Sequence, residues 1–156
     1  MTIYFYSVHE QYGCFSNFSP HGFELDNLYW YTSEHYFQAQ KFIGTFHVEK
    51  IRLVKTPKDA AKMGRDRSRP LRSDWGIVKD DIMRKAVLRK FETHQDIREI
   101  LLATNQEEIV ENSPIDYYWG CGYDGSGKNM LGIILMEVRE ILRYNNGLPV
   151  ENQRVK

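Results

Sequence analysis

The chain has only two cysteines, Cys14 and Cys121, and neither has metal-ligand spacing to a neighbour. A disulfide-stapled or cysteine-zinc scaffold is therefore not expected, and both thiols are expected to be reduced. No apolar run is longer than four residues, as at 133–136, far short of the ~18 that a membrane-spanning helix needs. No basic segment followed by an apolar stretch opens the sequence, so no secretory signal is expected; the reading is a cytoplasmic protein with no membrane partner. Lys and Arg are absent from residues 1–40, where four acids stand, and net charge is absent overall. Neutrality argues against a whole surface built for nucleic acid, because backbone affinity needs several phosphates neutralised by Lys and Arg.

The positive charge that exists is concentrated. Residues 41–100 carry 16 basic and nine acidic residues, whereas 101–156 carry five basic and eight acidic ones. A basic middle in a neutral chain points to an anionic ligand met at one place, although solvated helix faces give the same imbalance. At 156 residues the chain has the length of one domain and can bury about two-thirds of its unfolded surface without staples. Ten tyrosines, able to pack and hydrogen-bond at once, suit a pocket for a flat polar ligand.

Local signals predict a helix-dominated α+β fold in a single domain, with its few short strands mainly near the N-terminus. Residues 3–6 read as a strand, and 23–25 and 28–31 as a hairpin across Asp26-Asn27. Thr32 or Ser33 caps a helix to about Ile43, with Glu34 in the acidic first turn. Thr56-Pro57-Lys58-Asp59 opens a short helix that Gly64 ends. Ser73 or Asp74 caps a long helix to about Phe91, with Trp75, Val78, Ile82 and Ala86 on one stripe. Thr93-His94-Gln95-Asp96 reads as a capping box for a helix to Thr104. A strand at 109–111, a Gly- and Tyr-rich loop at 114–128 and a helix at 129–144 follow. The domain is expected to span 1–144, with 145–156 as a polar, fraying tail.

Three constellations could carry chemistry. In Ser33-Glu34-His35-Tyr36-Phe37-Gln38-Ala39-Gln40-Lys41, helical periodicity puts Gln38 and Lys41 within roughly 40° of Glu34, with Tyr36, Ala39 and Ile43 opposite. Such a face is a solvated polar stripe or an acid and an amine projecting into a cleft; a desolvated lysine there is a usable nucleophile. His35 sits on the border and reads as a packed or capping histidine. In Gly64-Arg65-Asp66-Arg67-Ser68-Arg69-Pro70-Leu71-Arg72, four guanidinium groups either grip phosphate or form a salt-bridge knot, with Asp66 orienting one of them. Residues 116–129 resemble a phosphate loop without being a Walker A motif, since the spacing is wrong and Asn129 replaces Ser/Thr. In that loop Asp116 and Asp124 are candidate acids or ribose-hydroxyl acceptors, and Tyr118 and Trp119 are candidate stacking platforms; a plain tight-turn loop is the alternative.

Together with Phe15-Ser16-Asn17-Phe18, Asp74-Trp75, Ala103-Thr104, Tyr118-Trp119-Gly120 and Leu135-Met136-Glu137-Val138-Arg139, these strings occur in an order that resembles the NADAR family. Within it the pattern is similar to that of the YbiA-like N-glycosidases, and the resemblance runs from about Ile3 to Leu142. It implies an enzyme that hydrolyses the bond between ribose C1 and an exocyclic amine in phosphoribosylamino-pyrimidine intermediates of riboflavin biosynthesis. The product sugar is ribose 5-phosphate, and a lysine Schiff base is the implied intermediate. Other members remove ADP-ribose from guanine in nucleic acid, which is the rival substrate class; a non-catalytic nucleotide- or ADP-ribose-binding module is a third reading. Carried onto this chain, Lys41 is the implied Schiff-base amine, Glu34 the general acid/base and Asp116 a second acid or ribose anchor. Arg65, Arg67 and Arg72, with Lys128, are the implied phosphate binders, and Asn17, Trp119 and Asn129 line base or ribose. No metal and no cofactor are expected.

Overall fold

The structure, a computed structural model, describes residues 1–147. Six helices and four three-residue strands make the expected helix-dominated α+β fold, with three of the strands within the first 30 residues. The chain forms two compact units: residues 16–93, and residues 1–15 with those from 94 onward.

The 16–93 unit begins with the hairpin. Strands β1 (Ile3–Phe5) and β4 (Ile109–Glu111) belong to the other unit; here β2 (Phe23–Leu25) pairs antiparallel with β3 (Leu28–Trp30), setting Phe23 opposite Trp30. Asp26 and Asn27 both take positive φ, 54° and 64°, the backbone of the tight turn that matches strand twist. Four helices follow: α1 (Ser33–Gln40), α2 (His47–Leu53), α3 (Pro57–Gly64) and α4 (Trp75–Thr93). Phe23, Leu25, Trp30, Tyr36, Ala39 and Phe42 are central to a core that also takes side chains from α2, α3 and α4. Helix α1 packs against α2, α3 and α4 and touches β3. All eight of its residues are buried.

In the other unit β1 (Ile3–Phe5) pairs in parallel with β4 (Ile109–Glu111), with α5 (Gln95–Ala103) and α6 (Met130–Gly147) beside them. Leu131, Ile134, Leu135 and Val138 form the buried stripe of α6, at the spacing of a one-sided helix.

Several boundaries differ from expectation. Helix α1 stops at Gln40, so Ile43 lies beyond it and is half exposed rather than part of the buried face. Helix α2 has no sequence signature: Phe46 precedes it without a side-chain cap. Thr93 is the last residue of α4 and donates to the Arg89 carbonyl (2.7 Å), leaving His94, which makes no side-chain cap, before α5. Helix α6 runs to Gly147, past the expected end at Tyr144. The rest of the expected polar tail, 148–156, lies outside the described residues.

Candidate active site

Thr32 has extended backbone and accepts the His35 N–H on its hydroxyl oxygen (3.1 Å), which stops the chain from fraying at the start of α1. The same hydroxyl sits 2.8 Å from His35 Nδ1, while His35 Nε2 sits 2.9 Å from the Val54 carbonyl. A carbonyl can only accept, so Nε2 carries the proton and Nδ1 receives the Thr32 hydroxyl. Burial pushes the imidazole pKa down, which keeps the ring neutral. His35 is thus a packed, capping histidine.

Asn17 joins the loop before the hairpin to the start of α1. Its Oδ1 accepts from Ser33 Oγ (2.8 Å), its Nδ2 lies 3.4 Å from Met83 Sδ, and its carbonyl accepts the Glu34 N–H (3.1 Å). Lys90, fully buried on α4, donates to the Ser16 carbonyl (2.9 Å) and anchors the same loop.

The polar face of α1 is not a solvated stripe. Glu34, Gln38 and Lys41 are 9%, 6% and 7% exposed. Gln38 Nε2 donates to Glu34 Oε2 (2.7 Å). Lys41 Nζ donates to the Gly64 carbonyl (3.3 Å) and lies 5.8 and 5.7 Å from the ring centroids of Phe37 and Trp75. Those rings are themselves 5.0 Å apart. Burial brings the Lys41 amine down to about 8, helped by the positive charges of Arg67, Arg65 and Lys79 and opposed by Glu34. The two rings favour the cation, but desolvation outweighs them.

A buried ammonium of lowered pKa is a cost to folding with a definite pH signature. Between about pH 8 and the ordinary lysine value near 10.5, the unfolded chain binds more protons than the folded one, so stability rises with pH across that window. Lys41→Met removes the penalty and keeps the bulk. Its stability advantage over wild type is expected to be largest below pH 8 and to shrink as pH approaches 10.5. Urea unfolding at pH 7, 8.5 and 10 measures this, and a constant difference would mean that Lys41 titrates like an exposed lysine.

The arginine loop divides its labour. Arg69 is paired with Asp66 (2.8 Å) and also bonds His47 Nδ1 (3.2 Å). Asp66 accepts from the Ser68 N–H and hydroxyl, which hold its carboxyl below the usual range. Arg72 forks onto Asp74 at 2.6 and 3.1 Å. It also serves α1: its N–H bonds the Lys41 carbonyl (2.9 Å) and Nη1 the Gln40 carbonyl (3.4 Å), satisfying carbonyls that a helix end leaves open. Arg65 and Arg67 are exposed and, among the described residues, form no ion pair; Arg67 touches only a carbonyl, that of Gly64 at 3.4 Å. The salt-bridge reading thus fits Arg69 and Arg72, and the free-cation reading fits Arg65 and Arg67.

The remaining candidates lie in the other unit. Asp116 Oδ1 accepts the N–H groups of Tyr118 (2.9 Å) and Trp119 (2.8 Å), the geometry of a carboxylate organising its own turn. Tyr118 and Trp119 pack edge to face at 4.9 Å, with Lys128 Nζ 5.4 Å from the Tyr118 ring. Asn129, at φ 55°, clamps β4 with both ends of its amide, accepting from Glu111 N–H and donating to the Ile109 carbonyl, each at 2.9 Å. Lys128 and Asn129 also line a cavity of about 490 Å³ with Tyr4, Asn112 and Tyr123; Asp116 and Trp119 do not. Glu34, Gln38, Lys41, Arg65 and Arg67 are therefore brought together within one unit, and Asp116, Trp119, Lys128 and Asn129 belong to the second.

Two parts of the site belong to strings the sequence singled out, but were given no role of their own there. Trp75 reads as a packing position on a helical stripe, yet it walls Lys41. Gly64 reads as a helix stop, yet its carbonyl holds the amine. The cue for both lies in the fold rather than the string, because α3 and α4 must first close over α1.

Among the described residues no helix is long and apolar enough to cross a membrane, and no group of three or more His, Cys, Asp or Glu is placed to hold a metal. The NADAR domain model matches residues 4–143. An N-glycosidase of Nostoc punctiforme is 57% identical over 146 residues, which cover 92% of this chain and 94% of that protein. The solution structure of Escherichia coli YbiA superposes with a TM-score of 0.86 at 51% identity, covering 92% of this chain and 86% of that one. YbiA itself is named an N-glycosidase. A chloroplastic riboflavin biosynthesis protein of Zea mays, PYRR, is 41% identical, and the match takes in a quarter of its length. The expectation of an enzyme cleaving N-glycosidic bonds stands on the relatives matched over nearly the whole chain, and the chain belongs to the NADAR domain family.

Proposed function

We propose that this N-glycosidase releases ribose 5-phosphate from phosphoribosylamino-pyrimidines of riboflavin biosynthesis, through a Schiff base on Lys41. The observation that carries the reading is the buried Lys41 amine, lowered to about 8, on one helix face with Glu34 and near the unpaired guanidinium groups of Arg65 and Arg67. The name of the maize relative supports the substrate class.

The chemistry follows from the bond. A ribose joined through C1 to an exocyclic amine is a cyclic N,O-acetal; its C1–ring-oxygen bond breaks, the oxygen taking a proton as a hydroxyl, and an open-chain imine forms. The neutral Lys41 amine adds to C1, and the pyrimidine amine leaves with a proton, giving a lysine imine. Water adds to that carbon, the C1–Nζ bond breaks, and Lys41 and the open sugar are released; the sum is substrate plus water to amine plus ribose 5-phosphate. Glu34 moves the protons, first from the attacking amine to the leaving amine and then from water. Arg65 and Arg67 hold the phosphate. Arg72 supports the α1 terminus.

Incubation with the phosphoribosylamino-pyrimidines and, separately, with ADP-ribosylated guanosine tests the substrate. Ribose 5-phosphate from the first with no release from the second is expected; the converse moves the chain to ADP-ribosyl-guanine hydrolysis.

The phosphate grip is tested separately. Arg65→Ala or Arg67→Ala is expected to raise KM for the phosphorylated substrate by roughly 10- to 150-fold, the worth of a charge-assisted bond. The dephosphorylated substrate is expected to change far less. Equal losses on both substrates would make the loop structural.

A further inference from the structure

Gln38 and Gly64 form a lock that no single sequence feature announces. Gln38 Nε2 holds the Glu34 carboxylate at 2.7 Å, while its Oε1 is buried and, among the described residues, has no hydrogen-bond partner. That oxygen is pressed onto the bare Cα of Gly64: a Cβ built there would lie 1.8 Å from Oε1 and 2.5 Å from the amide carbon. Gly64 does not take a positive φ, so its backbone would accept alanine. What requires glycine is the space the amide occupies. The Gly64 carbonyl also receives Lys41 Nζ (3.3 Å), so one residue seats the amide that orients the acid and the amine that acts beside it.

We infer that Gln38 is the positioning residue that orients Glu34, and that Gly64 is glycine so that the Gln38 amide can reach it. The inference rests on the proposed role of Glu34. An unpartnered buried amide oxygen is an unfavourable arrangement that an apolar side chain would avoid. It is tolerated here because the other end of the same amide holds the Glu34 carboxylate. The charged groups acting on the Lys41 amine are Glu34 on α1, Arg65 and Arg67 after α3, and Lys79 on α4; the substitutions below leave all of them unchanged.

Two substitutions and their combination test it. Gln38→Leu removes the donor. Gly64→Ala leaves every α1 residue in place but drives the Gln38 amide, the end of a flexible side chain, away from Glu34. Each is expected to lower kcat on the order of 10- to 100-fold with little change in KM. Gly64→Ala introduced on top of Gln38→Leu is expected to cost less than threefold more, because the amide it displaces is already gone. Independently of turnover, carbon NMR of the Glu34 carboxyl is expected to show its titration midpoint moving to higher pH in both single variants, since a carboxylate that loses a donor is a less stable anion. An unmoved midpoint in both, or a Gly64→Ala penalty undiminished by Gln38→Leu, overturns the inference. Should the wild-type protein fail to turn over the pyrimidine, the substrate reading falls while the NMR titration still decides the role of Gln38.

Discussion

Lys41→Ala is expected to abolish both turnover and covalent capture. When borohydride is added during turnover of the wild-type protein, the imine between C1 and Nζ is reduced to a secondary amine. Ribose 5-phosphate is then fixed to the chain, and peptide mass mapping is expected to place it on Lys41. The chain has other lysines, but their environments separate them. Lys90 is also buried, yet its ammonium is bonded to the Ser16 carbonyl in an anchoring role. Lys41 combines burial with an amine brought down to about 8. At pH 7 an amine of pKa about 8 is roughly one-tenth neutral, whereas one at 10.5 is neutral in well under a thousandth of molecules. kcat/KM is therefore expected to rise with pH through about 8. Lys41→Arg should be as inactive as Lys41→Ala, because a guanidinium does not lose its proton in this range. Sugar trapped on a different lysine, or none trapped while turnover persists, would reject Lys41 as nucleophile and leave N-glycosidase chemistry standing.

The parts of this site that were legible in the sequence are those set by neighbours a few residues apart. Asp26-Asn27 specified the hairpin because few other residues accept its backbone. Thr56-Pro57 opened α3 as its cap chemistry requires, with Thr56 Oγ1 accepting the Asp59 N–H. The shared face of Glu34, Gln38 and Lys41 followed from helical period. What covers that face did not follow, since periodicity reports which residues point the same way and not what they meet. Here α3 and α4 close over it, which turns a stripe that reads as solvated into a buried acid–amine pair. The arginine loop was legible in composition and not in partition. Asp66 and Asp74 neutralise Arg69 and Arg72, and only the folded loop shows that Arg65 and Arg67 are left without an acid. Helix α2 escaped because it has no cap residue and forms only seven residues long, held by packing against α1 and α3.

Glu34→Gln is the second large effect. The substitution keeps the side chain's shape and an oxygen able to accept from Gln38 Nε2, so the buried hydrogen bond survives and folding is expected to change little. It removes the charge and the titration. General acid–base catalysis is commonly worth about 10²–10⁴-fold, and kcat is expected to fall by that order. Two pH signatures should accompany the loss. First, a group that must be ionised to accept a proton gives kcat/KM an acidic limb, and that limb should vanish. Second, the Glu34 carboxylate opposes the lowering of the Lys41 pKa. Without it the ammonium is less stabilised, and the rise that tracks Lys41 should move to lower pH than in wild type. A residue that merely filled space would produce neither shift. Activity within a few-fold of wild type, with both limbs in place, would remove Glu34 from the chemistry.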